Sequence, residues 1–158
     1  MLLFLDIDGV MVPTKGWKSP EILSDGFAAF SKMSIYVLQQ LIFDDTTVIL
    51  TTSHKANYSL QEWKHIFSNR NITIANLICL PANANNLSRK EEVEHWFNLN
   101  NVHENFIIID DDKSLNDMPD FLKTHLIQTS PMIGLTLTHL ETAMSMLNMQ
   151  NPILVYMP

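Results

Sequence analysis

The sequence predicts an α/β fold, an open and mostly parallel sheet of about five strands with helices packed on both faces. Two observations carry that expectation. Short apolar runs lack the polar alternation of a half-exposed sheet, which is the pattern of strands covered on both sides. Segments of helical period lie between those runs, and the alternation of the two implies βαβ crossovers.

The expected strands are 2–5, 47–50, 74–80 and 106–109, with a weaker fifth at 126–128. Between them, Ile35, Leu38, Leu41 and Ile42 share one helical face. So do Leu60, Trp63 and Phe67, then Val93, Trp96 and Phe97, and finally Leu140, Ala143, Met144 and Leu147. Three capping boxes mark helix starts: Ser59 with Glu62, Ser88 with Glu91, and Thr138 with Glu141. In each, a hydroxyl and a carboxylate satisfy opposite backbone N–H groups.

At 158 residues with 46% hydrophobic side chains, the chain can bury a full core but is short for two, so one domain over residues 1–158 is expected. Four glycines and seven prolines are too scattered for a low-complexity linker. The apolar start, Met1 to Leu5, runs straight into Asp6 and Asp8 without a basic stretch or cleavage site, and reads as a buried strand rather than a signal peptide. No apolar run nears the ~20 residues of a membrane span, so a soluble protein without membrane association is expected. Cys79 stands alone within Leu77-Ile78-Cys79-Leu80, where an inert, buried strand position and a cytoplasmic location are expected. The net charge of −7 argues against extensive nucleic-acid backbone binding, while leaving room for a nucleic-acid end presented to a small pocket. The six histidines form no close pair at metal-ligand spacing, so the carboxylates are the better metal candidates.

Ligands of open parallel sheets bind beyond the carboxyl ends of the strands. Three runs end there in polar residues: Asp6 and Asp8; Thr51, Thr52 and Ser53; Asp110, Asp111 and Asp112. Asp6 and Asp8, two apart on extended chain, point the same way, and Gly9 permits a sharp turn after them. Alone, that segment reads equally well as a solvated strand-end turn. The aspartate triplet shifts the balance, because adjacent carboxylates raise one another's pKa unless a cation is present, and Mg²⁺ suits such oxygen donors. Lys90 and Arg89 fall in a first helical turn, where the macrodipole disfavours cations. An anion in front of the helix explains them, and so does a long side chain reaching into solvent. His54 and Lys55 read as contacts to a distal phosphate or as plain surface charge.

In order along the chain, Asp6-Ile7-Asp8-Gly9-Val10, Thr51 after a strand, Lys90, and Ile109-Asp110-Asp111 resemble the four motifs of the haloacid dehalogenase-like (HAD) superfamily. Leu50-Thr51-Thr52-Ser53, Gln128-Thr129-Ser130-Pro131 and Gly134-Leu135-Thr136 are similar to the small HAD domains associated with RNA-repair proteins. The resemblance implies a Rossmann-like three-layer sandwich and a hydrolase acting on phosphate monoesters. In that chemistry Asp6 attacks phosphorus to form an aspartyl-phosphate, while Asp8 protonates the leaving oxygen and then activates water. Thr51 would hold a phosphoryl oxygen, and Lys90 would neutralise the nucleophile and the phosphoryl group. Mg²⁺ would bind Asp6, the backbone carbonyl of Asp8 and an acid of the last motif, with Asp110 and Asp111 favoured over Asp112. Gly9, Thr52, Ser53 and Lys55 are the expected substrate contacts. Because Asp8 is present, phosphate transfer is favoured over dehalogenation.

Larger HAD enzymes insert a cap domain after the first motif or between the second and third. Neither gap here is long enough: residues 11–33 accommodate a flap with Trp17, Phe27 and Phe30, and residues 56–88 are consumed by one helix and one strand. An open site without a large cap domain admits a macromolecular phosphate. Trp17 then either stacks on a base or packs with Phe27 and Phe30 in a satellite core. The expected function is a Mg²⁺-dependent phosphatase, with a nucleic-acid end or nucleotide ahead of a small metabolite. The rivals are a phosphate-binding regulatory domain without turnover, and an interaction module with merely superficial acidic clusters.

Overall fold

The structure, a computed structural model, describes residues 1–150, with side chains to residue 148. Of the expected domain 1–158, residues 151–158 lie outside the described residues. Strands β1 (Leu2–Leu5), β2 (Thr47–Leu50), β3 (Asn76–Cys79), β4 (Phe106–Asp110) and β5 (Leu126–Gln128) form one sheet in the order β3-β2-β1-β4-β5. Every ladder is parallel, with Leu5 aligned to Leu50 on one side and Ile109 on the other. Helices α1 (Lys32–Leu41), α2 (Leu60–Ser68), α3 (Arg89–Leu99), α4 (Asp120–Lys123) and α5 (Leu137–Gln150) complete the fold, with 3₁₀ turns at Lys55–Asn57 and Lys113–Asp117.

Alternate strand residues feed the two faces of the sheet, as the pleat requires. Leu3, Leu5, Val48, Leu50, Ile107 and Ile109 pack against α1, α2 and α5. Leu2, Phe4, Ile49 and Ile108 pack against α3, the second 3₁₀ turn and α4. The result is the expected Rossmann-like three-layer α/β sandwich. Chain direction across the sheet reverses at β1, whose neighbours are β2 and β4, and such a switch point opens a crevice at the carboxyl ends of the strands.

The third strand is shorter than the apolar run 74–80, and Ile78 is exposed while Leu77 is buried. Its place at the sheet edge accounts for this alternation. Cys79 is half-buried there, and burial raises its thiol pKa. Capping boxes at Ser59–Glu62 and Ser88–Glu91 form as expected. The box expected at Thr138–Glu141 does not start α5: the helix begins two residues earlier, where Thr136 Oγ1 accepts from His139 N (3.4 Å) and Thr136 N donates to His139 Nδ1 (3.0 Å). Histidine thereby takes the acceptor part usually played by glutamate. In α2 the buried face is Trp63, Ile66 and Phe67, with Leu60 exposed.

Residues 56–88 contain α2 and β3 and no cap domain. The flap before α1 is fastened at its base by Arg70, just after α2. Its guanidinium pairs with Asp25 (Nη1–Oδ2 2.6 Å), donates to the carbonyls of Ile66, Phe27 and Ala28, and lies over the Phe30 ring. The Arg70 hydrogen bonds hold the Asp25 carboxyl well below the usual carboxylate range. Phe27 and Phe30 are buried in the main core, edge-on to Trp63 and Phe67 of α2, while Trp17 is 86% exposed, so the reading of the three as a satellite core is corrected: two join the main core and Trp17 stays outside it. Among the described residues, no helix is long and apolar enough to cross a membrane.

Candidate active site

The sheet ladder continues one residue past β1 and β2: Asp6 N donates to Ile109 O (3.1 Å) and Thr51 N to Leu5 O (2.9 Å). Both polar residues are thus fixed as rigidly as the strands, at the crevice. Asp110 ends β4 and is fully buried; Asp6 is 5% exposed. Carboxylate oxygens of Asp6, Asp110 and Asp111 all lie within 4.8 Å of one another. Asp112 faces elsewhere, capping the following 3₁₀ turn by accepting from Ser114 N at 2.8 Å.

Burial raises the Asp6 and Asp110 pKa values to about 6. Arg89 opposes the rise at both, and each carboxylate also meets a neighbouring one that reinforces it, Asp111 beside Asp6 and Asp6 beside Asp110. Asp111 is raised as well, by burial and by the charge of Asp110. Hard oxygen donors in this arrangement fit Mg²⁺. Three carboxylates and one guanidinium leave two negative charges, which one divalent ion neutralises.

Arg89, the first residue of α3, is the cation of the site. Its Nη1 lies 2.6 Å from Asp110 Oδ2, 3.4 Å from Asp6 Oδ1 and 2.9 Å from Thr51 Oγ1. Burial works against its charge, but Asp110, Asp6 and Glu92 outweigh that and raise its pKa. The placement of Lys90 beside Asp6 is corrected accordingly: the Lys90 ammonium pairs with Glu94 at 3.8 Å, one turn along the helix, and is one-third exposed. Neighbouring helical positions point ~100° apart, so one first-turn residue faces the crevice and the next turns away.

Lys55 also departs from expectation. It is buried, with Nζ 2.8 Å from Glu92 Oε2, and its charge is committed to a structural ion pair rather than facing a distal phosphate. Its neighbour His54 meets Asp8, with Nε2–H donating to Oδ2 at 2.8 Å. The imidazole stands edge-on to Phe27, 5.6 Å between centroids, which links the flap base to the Asp8 side chain. Asp8 itself is half-exposed. Thr51 Oγ1 donates to Asp110 (3.3 Å), Thr52 is buried with its hydroxyl capping His54 N, and Ser53 is exposed.

The turn between Asp8 and Val12 brings the Asp111 carboxylate against Gly9, whose φ of +79° and missing Cβ are both required: a side chain there would collide with that carboxylate. Thr129 Oγ1 holds the Gly9 carbonyl at 2.7 Å, so Gln128-Thr129-Ser130 braces the acidic turn from behind. Arg89 and His54 are the site residues that the sequence did not single out for these contacts. The signal for Arg89 lay in the Ser88 cap, which sets it at the mouth of the helix, and that for His54 in its place directly after the second motif.

An acidic residue at the switch point, a second two residues on, a hydroxyl after β2, a cation opening α3 and a carboxylate pair after β4 define a HAD-like domain. The family model described as the HAD domain in Swiss Army Knife RNA repair proteins matches residues 2–140, and the chain belongs to that family. No curated protein and no solved structure matches the chain. Membership places it among domains of phosphatase-type hydrolase ancestry.

Proposed function

We propose that the protein is a Mg²⁺-dependent phosphatase working through an aspartyl-phosphate at Asp6, with a nucleic-acid end as its substrate class. The observation that carries this reading is the Asp6–Asp110–Asp111 cluster, two of its carboxylates buried and Asp111 half-buried, balanced by Arg89 and flanked by Asp8. Asp6 and Asp110 or Asp111 would hold Mg²⁺ through carboxylate oxygens, joined by the Asp8 backbone carbonyl. When bound, the ion neutralises phosphoryl oxygens and screens Asp6 as a nucleophile from them. Thr51 and Arg89 offer a hydroxyl and N–H groups to the phosphoryl group. Asp8, held from behind by His54, gives the leaving oxygen its proton and recovers one from water. The nucleic-acid preference rests on the family's RNA-repair description and on the absence of a cap between the second and third motifs. The location is taken to be cytoplasmic.

The decisive experiment assays the purified protein on phosphorylated oligonucleotides, nucleotides and small phosphate esters with and without Mg²⁺. Release of phosphate from none of them would favour the non-catalytic reading, in which Arg89 permanently neutralises the aspartates and the crevice only binds phosphate.

Two further results are expected. His54→Ala should lower kcat by roughly 10- to 100-fold with little change in KM, since a freed Asp8 loses its productive orientation. His54→Gln, which can keep a donor, should recover much of it. Equal kcat for the alanine variant and wild type would remove His54 from the mechanism.

Proton linkage gives the second. Asp6 and Asp110 hold protons up to about pH 6 in the folded protein against 3.8 in the unfolded chain. Their contribution favours folding below 3.8 and is lost as pH rises through about 6. Mg²⁺ competes with those protons, so the Tm rise it produces should be small at pH 5 and several degrees at pH 7.5. Asp111→Asn should raise the metal-free Tm at pH 7.5 and diminish the Mg²⁺ effect. Calorimetry returning an unchanged Mg²⁺ affinity for this variant would exclude Asp111 from the ligand set.

A further inference from the structure

The flap tip carries features that the phosphatase chemistry leaves unused. Trp17 stands 86% exposed at the centre of Lys15-Gly16-Trp17-Lys18, where Lys18 N donates to Lys15 O at 3.0 Å and closes a turn. An indole is a large apolar group that a folded chain ordinarily buries, yet in this flap Phe27 and Phe30, each 6% exposed, take the inward positions in the main core against α2. The tip is not a loose end. Arg70 and Asp25 clamp its base, Ser31 N donates to Met11 O (2.9 Å), and Thr14 binds the Pro131 carbonyl through both N–H (2.8 Å) and hydroxyl (3.1 Å). A braced loop therefore presents a bare indole between two exposed lysines, neither ion-paired among the described residues.

Beside the tip is a hollow of about 270 Å³, lined by Val12, Pro13, Lys15, Lys18, Glu21 and Phe30. Val12 also pairs with Asp8, so the hollow begins next to the acidic turn of the active site. Five residues of chain span at most ~17 Å, which keeps Trp17 within a few nucleotides' reach of that turn. The chain carries 17 acidic and 10 basic residues, so paired ammonium groups flanking a free aromatic face form a local exception to its overall charge.

We infer that Trp17, Lys15 and Lys18 form a contact for single-stranded nucleic acid, Trp17 stacking on a base and the lysines meeting the phosphates that lead toward the end held at Asp6. The inference rests on the phosphatase reading only in placing the reactive end at Asp6. Stacking on one exposed ring is tolerant of sequence, and two lysines read backbone charge alone, so the strand should be recognised without base specificity. A duplex, whose bases are already stacked and paired, offers the indole no such face.

The test measures anisotropy of a fluorescein-labelled, phosphorylated single-stranded oligonucleotide with the full chain, alongside hydrolysis of that oligonucleotide and of p-nitrophenyl phosphate. Trp17→Ala should weaken binding by roughly 5- to 150-fold, with Trp17→Phe retaining part of it. Activity on p-nitrophenyl phosphate should not change. Lys15→Ala with Lys18→Ala should make log Kd depend less steeply on log salt, by about 1.4 in slope. Loss of binding in Trp17→Ala with no hydrolysis by any variant would uphold the contact and overturn the phosphatase reading. Unchanged oligonucleotide binding in Trp17→Ala would overturn the contact, as would equally tight Trp17-dependent binding to a phosphopeptide, to anionic vesicles or to the matching duplex.

Discussion

Asp6→Asn is expected to abolish phosphatase turnover, by on the order of 10⁴-fold or more, while leaving the metal-free protein at least as stable as wild type. The two halves of that result have one cause. Burial, reinforced by the Asp111 charge, pushes the Asp6 pKa to about 6 and makes its ionised form costly. At neutral pH the folded protein therefore bears the cost of an ionised, buried carboxylate, which an uncharged amide of the same shape does not incur. That rise is already net of the attraction to Arg89, whose Nη1 lies 3.4 Å from Asp6 Oδ1. The amide keeps the shape of the site but cannot attack phosphorus, and nothing else in the cluster replaces it: Asp110 is fully buried behind Thr51 and Arg89, and Asp111 packs on Gly9. Phosphate release measured with Mg²⁺, paired with a thermal melt without it, checks both halves. Activity near wild type would remove Asp6 as the nucleophile. Lost activity with a large fall in Tm would mean that the carboxylate is structural.

Much of this arrangement was legible before the structure because strand ends are local features. Leu2 to Leu5 and Phe106 to Asp110 are apolar up to the residue that must face the crevice, so the position of Asp6 and Asp110 follows from the end of hydrophobic burial. The Ser59 and Ser88 boxes were likewise local, since donor and acceptor lie three residues apart. Contacts that join distant segments were not. His54 meets Asp8 across 46 positions, and Lys55 finds Glu92 only because α3 packs beside the turn after β2. Thr136 and His139 share a cap whose acceptor is an imidazole, a pairing that a search for glutamate at the third helical position passes over in favour of Thr138 and Glu141. Trp17 illustrates the same limit from the other side: composition predicts burial, and only the packing of Phe27 and Phe30 leaves it outside.

The sharpest consequence concerns the two cations that open α3. Arg89→Ala should cost about 3–5 kcal/mol of stability at neutral pH, because it strips the counter-charge from the buried Asp110 and from Asp6 and removes a donor from Thr51. It should also lower kcat/KM by about 10²- to 10³-fold, as loss of a preorganised charge beside a transferring phosphoryl group does. Part of the lost stability should return with Mg²⁺, which supplies positive charge to the same carboxylates, and part with acid, since without Arg89 both carboxyl pKa values rise further and protonation sets in at higher pH than in wild type. Lys90→Ala should do neither. Its ammonium is one-third exposed and, among the described residues, paired with Glu94 at 3.8 Å, an interaction worth ~0.3–0.5 kcal/mol at most. Removing a positive charge from a helix N-terminus offsets even that. Arg89→Lys is the informative intermediate: a shorter, single-point cation can reach one carboxylate but cannot bridge Asp6, Asp110 and Thr51 together, so stability should recover more than turnover. Melting curves at pH 5 and 7.5 with and without Mg²⁺, set beside steady-state kinetics for the three variants, separate these outcomes. If Lys90→Ala lost activity while Arg89→Ala kept it, the cation serving Asp6 during turnover would be Lys90, and α3 would have to rotate by most of a residue step from the position it holds here.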